Sequence, residues 1–497
     1  LITRLRTPDE AAAWLRARVT GSLCADSRQL RAGDGFVAWP GASVDARRYV
    51  QAALDAGVTA CLVDDNHLES FGFTDARIAC YSGLKRATAT ISAAFFVHPS
   101  EQLQITAVTG TNGKTSTAWW LAQALSKLGS RCGVVGTLGI GEPGAMAHNG
   151  LTTPDPVLLQ QQLRHFADQG FAACALEASS IGLAEHRLDA VRIAVAVLTN
   201  FTQDHLDYHV SMPAYWAAKK ALFDCAGLKA AVLNIDDESG ADLESELSAR
   251  STEPLDIWSV SVCRSARLQA QNILQSAQAL NFDVLEGGER HAVSTSTVGL
   301  YNVSNLLGVI GAMRAMGVSL HDAAQACCGL SPVPGRLNTL THPDAPLVVI
   351  DYAHTPDALE KVLAALRPLA VSRAGKLWCV FGCGGDRDAS KRPIMAAVAQ
   401  KNADRVVVTS DNPRSESPNA IISQILLGLT HCDAVEVQSD RTLAIAETIL
   451  QAGSQDVVLL AGKGHETHQE IGDKKIPFSD FVQAQTAFEA RANRGTV

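Results

Sequence analysis

The sequence predicts an α/β protein of three domains, and three observations carry that prediction. Its 497 residues exceed what a single hydrophobic core organises. Short runs rich in Val, Ala and Ile alternate with helix-length segments, the rhythm of parallel strand–helix–strand units. Two breaks interrupt that rhythm: His98-Pro99-Ser100, where proline disfavours helix in the residue before it, and the Pro- and Gly-dense LSPVPGRLN (330–338). The expected domains are therefore 1–99, 100–333 and 334–497.

The elements follow in order. GDGFVAW and ACLVDD predict strands in the first domain, and SGLKRATATISAAFF predicts a helix. In the second, LQITAVTG, RCGVVGT, FAACALE, RIAVAVLTN and KAAVLNI predict buried parallel strands. In the third, LVVIDYAH, KLWCVFGCGG, RVVVTSD and DVVLLAG predict a second α/β series of Rossmann-like type.

Composition narrows the function classes. A hydrophobic content of 47% with 19% charged residues is that of a globular protein. No apolar run approaches the ~18–20 residues of a membrane span. The first residues, LITRLRTPDEAAAWLRARV, carry Asp9 and Glu10 and lack the apolar stretch of a secretory signal, so a cytoplasmic protein without membrane insertion is expected. A net charge of -9 argues against a nucleic-acid partner, because counterion release needs a basic surface. The 12 cysteines contain no C-x-x-C and read as reduced core thiols.

AVTGTNGKTS (107–116) nearly matches a phosphate-binding loop, but Val108 stands where the strict G-x-x-x-x-G-K-[ST] pattern needs glycine. A strand-like run precedes it and an amphipathic helix follows. In that setting backbone N–H groups and the positive end of the helix dipole stabilise phosphate oxygens, while a lysine reaches the terminal phosphates and a hydroxyl ligates Mg²⁺. Gly110, Thr111, Asn112, Gly113, Lys114, Thr115 and Ser116 supply those parts. The plain alternative is a tight strand-to-helix turn with an exposed lysine. The expected centre is thus a P-loop parallel-sheet ATPase domain.

TGTNGKTS resembles the ATP loop of the Mur ligase and folylpolyglutamate synthetase superfamily, whose members join a carboxylate to an amine. The resemblance extends from DSR (26–28) to GKGHE (462–466) and covers nearly the whole chain. It implies ATP and Mg²⁺ as cofactors. Glu177, at the end of an apolar run, and His205, in TNFTQDHLDYH, match metal-holding positions, together with Thr115; the same segment carries Asn200, Asp204, Asp207 and His209. Lys219 matches a lysine that carries a carbamate in that family. Asn302, Arg336, Asp351 and His354 match nucleotide contacts, with Arg336 just past a Pro-Gly hinge. As simpler alternatives, Asn302 would cap a helix starting near Val303, and Arg336 would be a surface charge.

The resemblance is strongest to Mur ligases that add diaminopimelate. It implies UDP-N-acetylmuramoyl-L-alanyl-D-glutamate and meso-2,6-diaminopimelate as partners, peptidoglycan synthesis as the setting, and a monomer as the working unit. Ala25, Ser27, Ala42, Ser43 and Val44 match uridine contacts; Leu151, Thr152, Thr153, Ser179, Glu185 and Arg187 match contacts to the muramoyl peptide. Ile181 and Glu185 depart from the usual histidine and glutamine, and an acid beside an anionic substrate is unhelpful. Arg387, Asp411, Asn412, Pro413, Arg414, Gly462 and Glu466 match the amino-acid pocket. There Arg414 suits a distal carboxylate through a two-bond fork, and Glu466 or Asp411 suits a distal ammonium. The catalytic set is then Lys114, Lys219 and His205. Rival readings are a sister ligase adding L-lysine and a P-loop phosphotransferase making no amide.

Overall fold

The computed structural model describes residues 2–41, 44–250, 255–276, 279–431 and 434–494. Ala42 and Ser43, two of the expected uridine contacts, lie outside the described residues. The chain divides into two compact units: Leu1–Thr109, Leu121–Val197 and Ala217–Ala231 form the first, and Gly110–Trp120, Leu198–Trp216 and Val232–Val497 the second.

The first unit opens with a parallel sheet in the order Thr3–Leu5, Ile78–Tyr81, Ala60–Asp64, Gly35–Ala38, Leu23–Cys24. Apolar clusters cover both its faces, one around Trp14, Leu62 and Ile91, the other around Phe36, Val50 and Ile78. That explains why its strands read as continuous apolar runs rather than alternating ones. The same unit holds the strands Gln104–Thr109, Ala173–Glu177 and Cys132–Gly136, with Ala173–Glu177 parallel to both neighbours. Glu177 pairs in register with Val108. Val108 is therefore still inside a strand, so the turn opens two residues later, at Gly110.

The second unit contains a six-stranded sheet ordered Asn338–Leu340, Leu347–Asp351, Val457–Ala461, Leu377–Phe381, Arg405–Val408, Val435–Val437. All neighbours run parallel except the first pair. Helix Pro356–Ser372 packs in one covering layer, and Arg441–Gln451 with Asp480–Arg494 in the other. The carboxyl ends of four adjacent strands thus bring Asp351, Gly462, Gly382 and Ser410 to one edge, where open α/β sheets bind ligands.

The expected strands all form, and the expected helix becomes Leu84–Phe95. The centre departs from a purely parallel sheet. Leu268–Gln275, Leu280–Glu286 and Glu289–Thr295 pair antiparallel, as do Gly139–Glu142 and Ala145–Ala147. In the three longer strands buried positions recur at every second residue over part of their length, as in hairpins with one wetter face.

Candidate active site

The turn after Thr109 is shaped by two glycines. Gly110 has φ of 143°, and a Cβ there would stand 1.9 Å from Thr199 Oγ1; Gly113 has φ of 87°, and a Cβ would stand 2.4 Å from Asn305 Oδ1. Both positions exclude side chains by conformation and by space. Polar groups from the segment after Leu198 then brace the loop. Thr111 N–H donates to Asn200 O and Asn112 N–H to Asn200 Oδ1, each at 2.9 Å. Thr199 Oγ1 and Asn200 Nδ2 donate to Asn112 O at 2.6 and 3.0 Å. Asn112 Nδ2 reaches Asp357 Oδ2 at 2.9 Å.

Helix Lys114–Lys127 starts directly after this loop, so its first N–H groups, which have no partner within the helix, face the turn. Lys114 is not simply exposed: its Nζ donates to Gly110 O and Thr111 O, both at 2.9 Å. The ammonium is held over the loop, where a phosphate could take it over. Thr115 and Ser116 are buried, and Arg336 Nη2 donates to Thr115 Oγ1 at 3.3 Å. Arg336 also lies over the Tyr352 ring at 4.5 Å, so it is no surface charge. Asp351 accepts from Leu337 N–H and Ala353 N–H at 2.8 Å each. Burial pushes its carboxyl up, against the opposing charge of Arg336.

Asn302 does not cap a helix. Helix Tyr301–Ala315 begins before it, and its Nδ2 bonds Val298 O at 2.7 Å while its Oδ1 accepts from Asn305 Nδ2 at 3.0 Å. Asn305 touches the space beside Gly113 and was missed by the sequence reading. Its signal was present: two asparagines three apart on a buried helix face.

His205 sits in the left-handed region, φ 53°, after the buried Asp204. Asp207 is exposed, and His209 is buried with its ring 5.1 Å from that of Tyr215. Asp204 faces Lys391 Nζ at 3.4 Å and the Nε2 atoms of His205 and His354 at 3.6 and 3.7 Å. Burial pushes this carboxyl up, but the charge of Lys391 and the His354 contact outweigh it and hold it well below its ordinary value.

At the edge of the C-terminal sheet, charges of both signs pair with one another. Arg414, with φ of 50°, donates through Nε to Glu470 Oε2 and through Nη1 to Gly385 O, both at 2.8 Å. Glu466 Oε2 accepts from Lys463 Nζ at 2.6 Å and Asn412 Nδ2 at 2.9 Å. Asp411 and Pro413 are buried beside them; a Cβ at Gly462 would meet Asp411 Oδ2 at 2.5 Å. Arg387 is exposed. Beneath the edge, Arg441 and Asp480, both 0% exposed in their side chains, form a two-bond pair, and Arg441 also reaches Ala461 O and Ser410 O. Lys463, Glu470 and this brace lay outside the sequence reading; the partners of Glu470 and Arg441 are distant along the chain.

In the first unit, Glu177 is 1% exposed and accepts from Thr137 N–H at 2.8 Å and Thr137 Oγ1 at 3.1 Å. Thr152 bonds the same Thr137 hydroxyl at 3.0 Å. Thr153 Oγ1 donates to Glu177 O at 2.7 Å, Ser179 caps helix Ser180–Ala184, and Arg187 Nη1 donates to Thr153 O at 2.8 Å. Glu185 pairs with Lys85 at 2.5 Å, which answers the doubt about an acid there: its charge is compensated. Leu151 and Val44 are exposed; Ala25 and Ser27 are half-buried near the turn after strand Leu23–Cys24. Lys219 is 1% exposed on helix Met212–Lys220, not on a solvated face.

Comparison with known proteins decides the family. The model of the Mur ligase middle domain matches residues 108–313, and that of the Mur ligase glutamate ligase domain matches 335–464. The chain belongs to the Mur ligase family. Its Mur ligase relatives include the UDP-N-acetylmuramoyl-L-alanyl-D-glutamate–2,6-diaminopimelate ligase of Acidovorax sp. (strain JS42), 55% identical over 98% of both chains. The ligase of the same name from Pseudomonas aeruginosa is 44% identical over 94% of this chain and 95% of its own. A solved structure of a ligase of that name superposes with a TM-score of 0.64 at 33% identity over 95% of each chain. The MurF ligase of Thermotoga maritima in complex with ADP shares the fold, with a TM-score of 0.68 at 19% identity over 97% of this chain and 99% of that one.

Eleven cysteines among the described residues are free thiols, seven of them buried. No helix among the described residues is long and apolar enough to cross a membrane.

Proposed function

We propose that this Mur ligase joins meso-2,6-diaminopimelate to the D-glutamyl γ-carboxylate of UDP-N-acetylmuramoyl-L-alanyl-D-glutamate, driven by ATP, in peptidoglycan synthesis. Full-length relatives at 44–55% identity carrying that name support the reading. The observation that carries it on this chain is the pairing of a glycine-shaped 110–113 loop under Lys114 with an edge of paired charges around Arg414 and Glu466. A phosphotransferase would have no use for the second.

The chemistry follows. A carboxylate oxygen of the D-glutamyl group attacks the γ-phosphorus of ATP, ADP leaves, and an acyl phosphate forms. The amine of diaminopimelate attacks its carbonyl carbon, the C–O bond to phosphate breaks, and the amine loses a proton. Lys114 and Arg336 offset the repulsion between the two anions. Exclusion of water protects the acyl phosphate. A divalent cation, when bound, screens the phosphate charge.

Thr115, His205 and Glu177 are its proposed ligands, and Lys219 as a carbamate would hold a second Mg²⁺. Their oxygen and imidazole donors fit: nucleotide-bound magnesium draws on one or two protein groups plus phosphate oxygens and water. Among the described residues no group of three or more His, Cys, Asp or Glu could hold a metal by itself.

The three functional domains are 1–99 for the uridine moiety, 100–333 for ATP and 334–497 for the amino acid, in a cytoplasmic monomer. ADP release by the purified enzyme, with the UDP-linked dipeptide and either meso-diaminopimelate or L-lysine, tests the reading. Rapid release with the first and little with the second is expected; equal rates, or release with neither organic partner present, would overturn it.

A further inference from the structure

The segment after Leu198 and the loop after Phe381 are tied by an ion pair outside every role assigned above. Asp204 is 4% exposed and Lys391 5% exposed, with 3.4 Å between Nζ and Oδ1. Beside them Gln203 Nε2 donates to Ser390 Oγ at 3.0 Å and to Asp388 Oδ2 at 3.4 Å, while Asp388 Oδ1 accepts from Ser390 N–H at 2.9 Å. Burying such a pair costs desolvation and contributes little net stability, so its use must be sought in what it holds in place.

Each end of the tie holds a different part of the site. On one side, Thr199 and Asn200 fasten the Asn112 carbonyl, and Thr202 N–H donates to Thr111 Oγ1 at 2.9 Å, so the 199–204 segment is the wall of the nucleotide loop. On the other, Lys391 opens helix Lys391–Asn402, four residues after Arg387. Its neighbour Arg392 donates to Gly384 O at 3.0 Å and to Glu416 at 2.7 and 2.8 Å, fixing the loop that supplies the Gly385 carbonyl to Arg414. One buried contact thus ties the chain segment bonded to Asn112 to the one bonded to Arg414.

We propose that Lys391 is a positioning residue: its pair with Asp204 couples an occupied amino-acid pocket to the order of the nucleotide loop. The ligase reading above supplies the two ligands. Binding of a dicarboxylic diamino acid at Arg414 would steady the 382–391 loop, and through Lys391 the wall around Thr111 and Asn112.

The test uses the full chain with Lys391→Met, which keeps the length and removes the charge, and Lys391→Arg, which keeps the charge. Hydrogen exchange of 199–209 and titration with a non-hydrolysable ATP analogue, with and without meso-diaminopimelate, are the readouts. In the native enzyme the amino acid should tighten analogue binding. Lys391→Met should abolish that dependence, weaken analogue binding about tenfold, within the usual range for coupled sites, and speed exchange in 199–209. It should raise the KM for ATP more than it lowers kcat, and Lys391→Arg should restore most of each effect.

Native exchange and an unchanged amino-acid dependence in Lys391→Met would overturn the proposal. Should Lys391→Met fail to fold, Ser390→Ala removes the hydroxyl contacts to Gln203 and Asp388; it should speed the same exchange to a smaller degree, and no change there would equally overturn it. A native enzyme that does not bind the analogue would sink the ligase reading instead, and the exchange comparison would still decide the tie.

Discussion

Around Asn112 the chain is braced mainly by neutral groups, the hydroxyl of Thr199 and the amide of Asn200, whereas around Asn412 the contacts come from Lys463 and Glu466, with Arg414 and Glu470 alongside. A neutral brace keeps one loop shape whatever the ligand. A set of paired ions can instead exchange partners. Diaminopimelate brings two carboxylates and two ammonium groups, and a pocket already holding both signs can accept them without leaving a charge uncompensated, the costly outcome for buried ions. The fork expected of Arg414 is therefore partly filled by Glu470 and Gly385, and a substrate carboxylate would compete for it.

The largest effect should fall on the nucleotide side. Lys114→Ala should cut ADP formation at least ~10²-fold, the usual cost of losing one transition-state donor, with the thermal unfolding curve kept; near-native turnover would remove Lys114 from its role. Lys219→Ala should also lose turnover, and short carboxylates added to the assay should restore part of it if a carbamate is the working group.

On the charged side, Arg414→Ala should weaken diaminopimelate by about 2–5 kcal/mol, read as a rise in its KM with that for ATP little changed. Unchanged KM values would take Arg414 out of the pocket.

The smallest effect sharpens the same contrast through pH. A hydrogen bond from the Arg392 guanidinium holds the Glu416 carboxyl below its ordinary value of 4.5. Its stabilising effect is complete above the unfolded value and fades as pH falls from there through the folded one. Glu416→Gln should cost about 1 kcal/mol in urea unfolding at neutral pH, a gap that closes in acid. A gap independent of pH would mean that the charge contributes nothing.

How much of this was legible from the sequence follows the same division. The loop at Gly110–Thr115 was readable because its parts are local: a strand, glycines at required angles, a lysine and a hydroxyl in one short run. The parallel strands were readable because burial on both faces leaves unbroken apolar runs such as VVLLA. The hairpins at 268–295 were not anticipated, since their alternation is irregular and a bulge lies between Gln271 and Leu274. Lys391 and Glu470 escaped notice because each acts through a partner far away in the chain. The same holds for Lys85, whose pairing with Glu185 turns an apparent misfit into a compensated charge.

The most direct measurement follows one oxygen atom. With the D-glutamyl γ-carboxylate carrying a heavy-oxygen label, each amide bond formed should send one labelled oxygen into the released inorganic phosphate. Phosphate free of label, with amide formed at the normal rate, would contradict an acyl phosphate on the path.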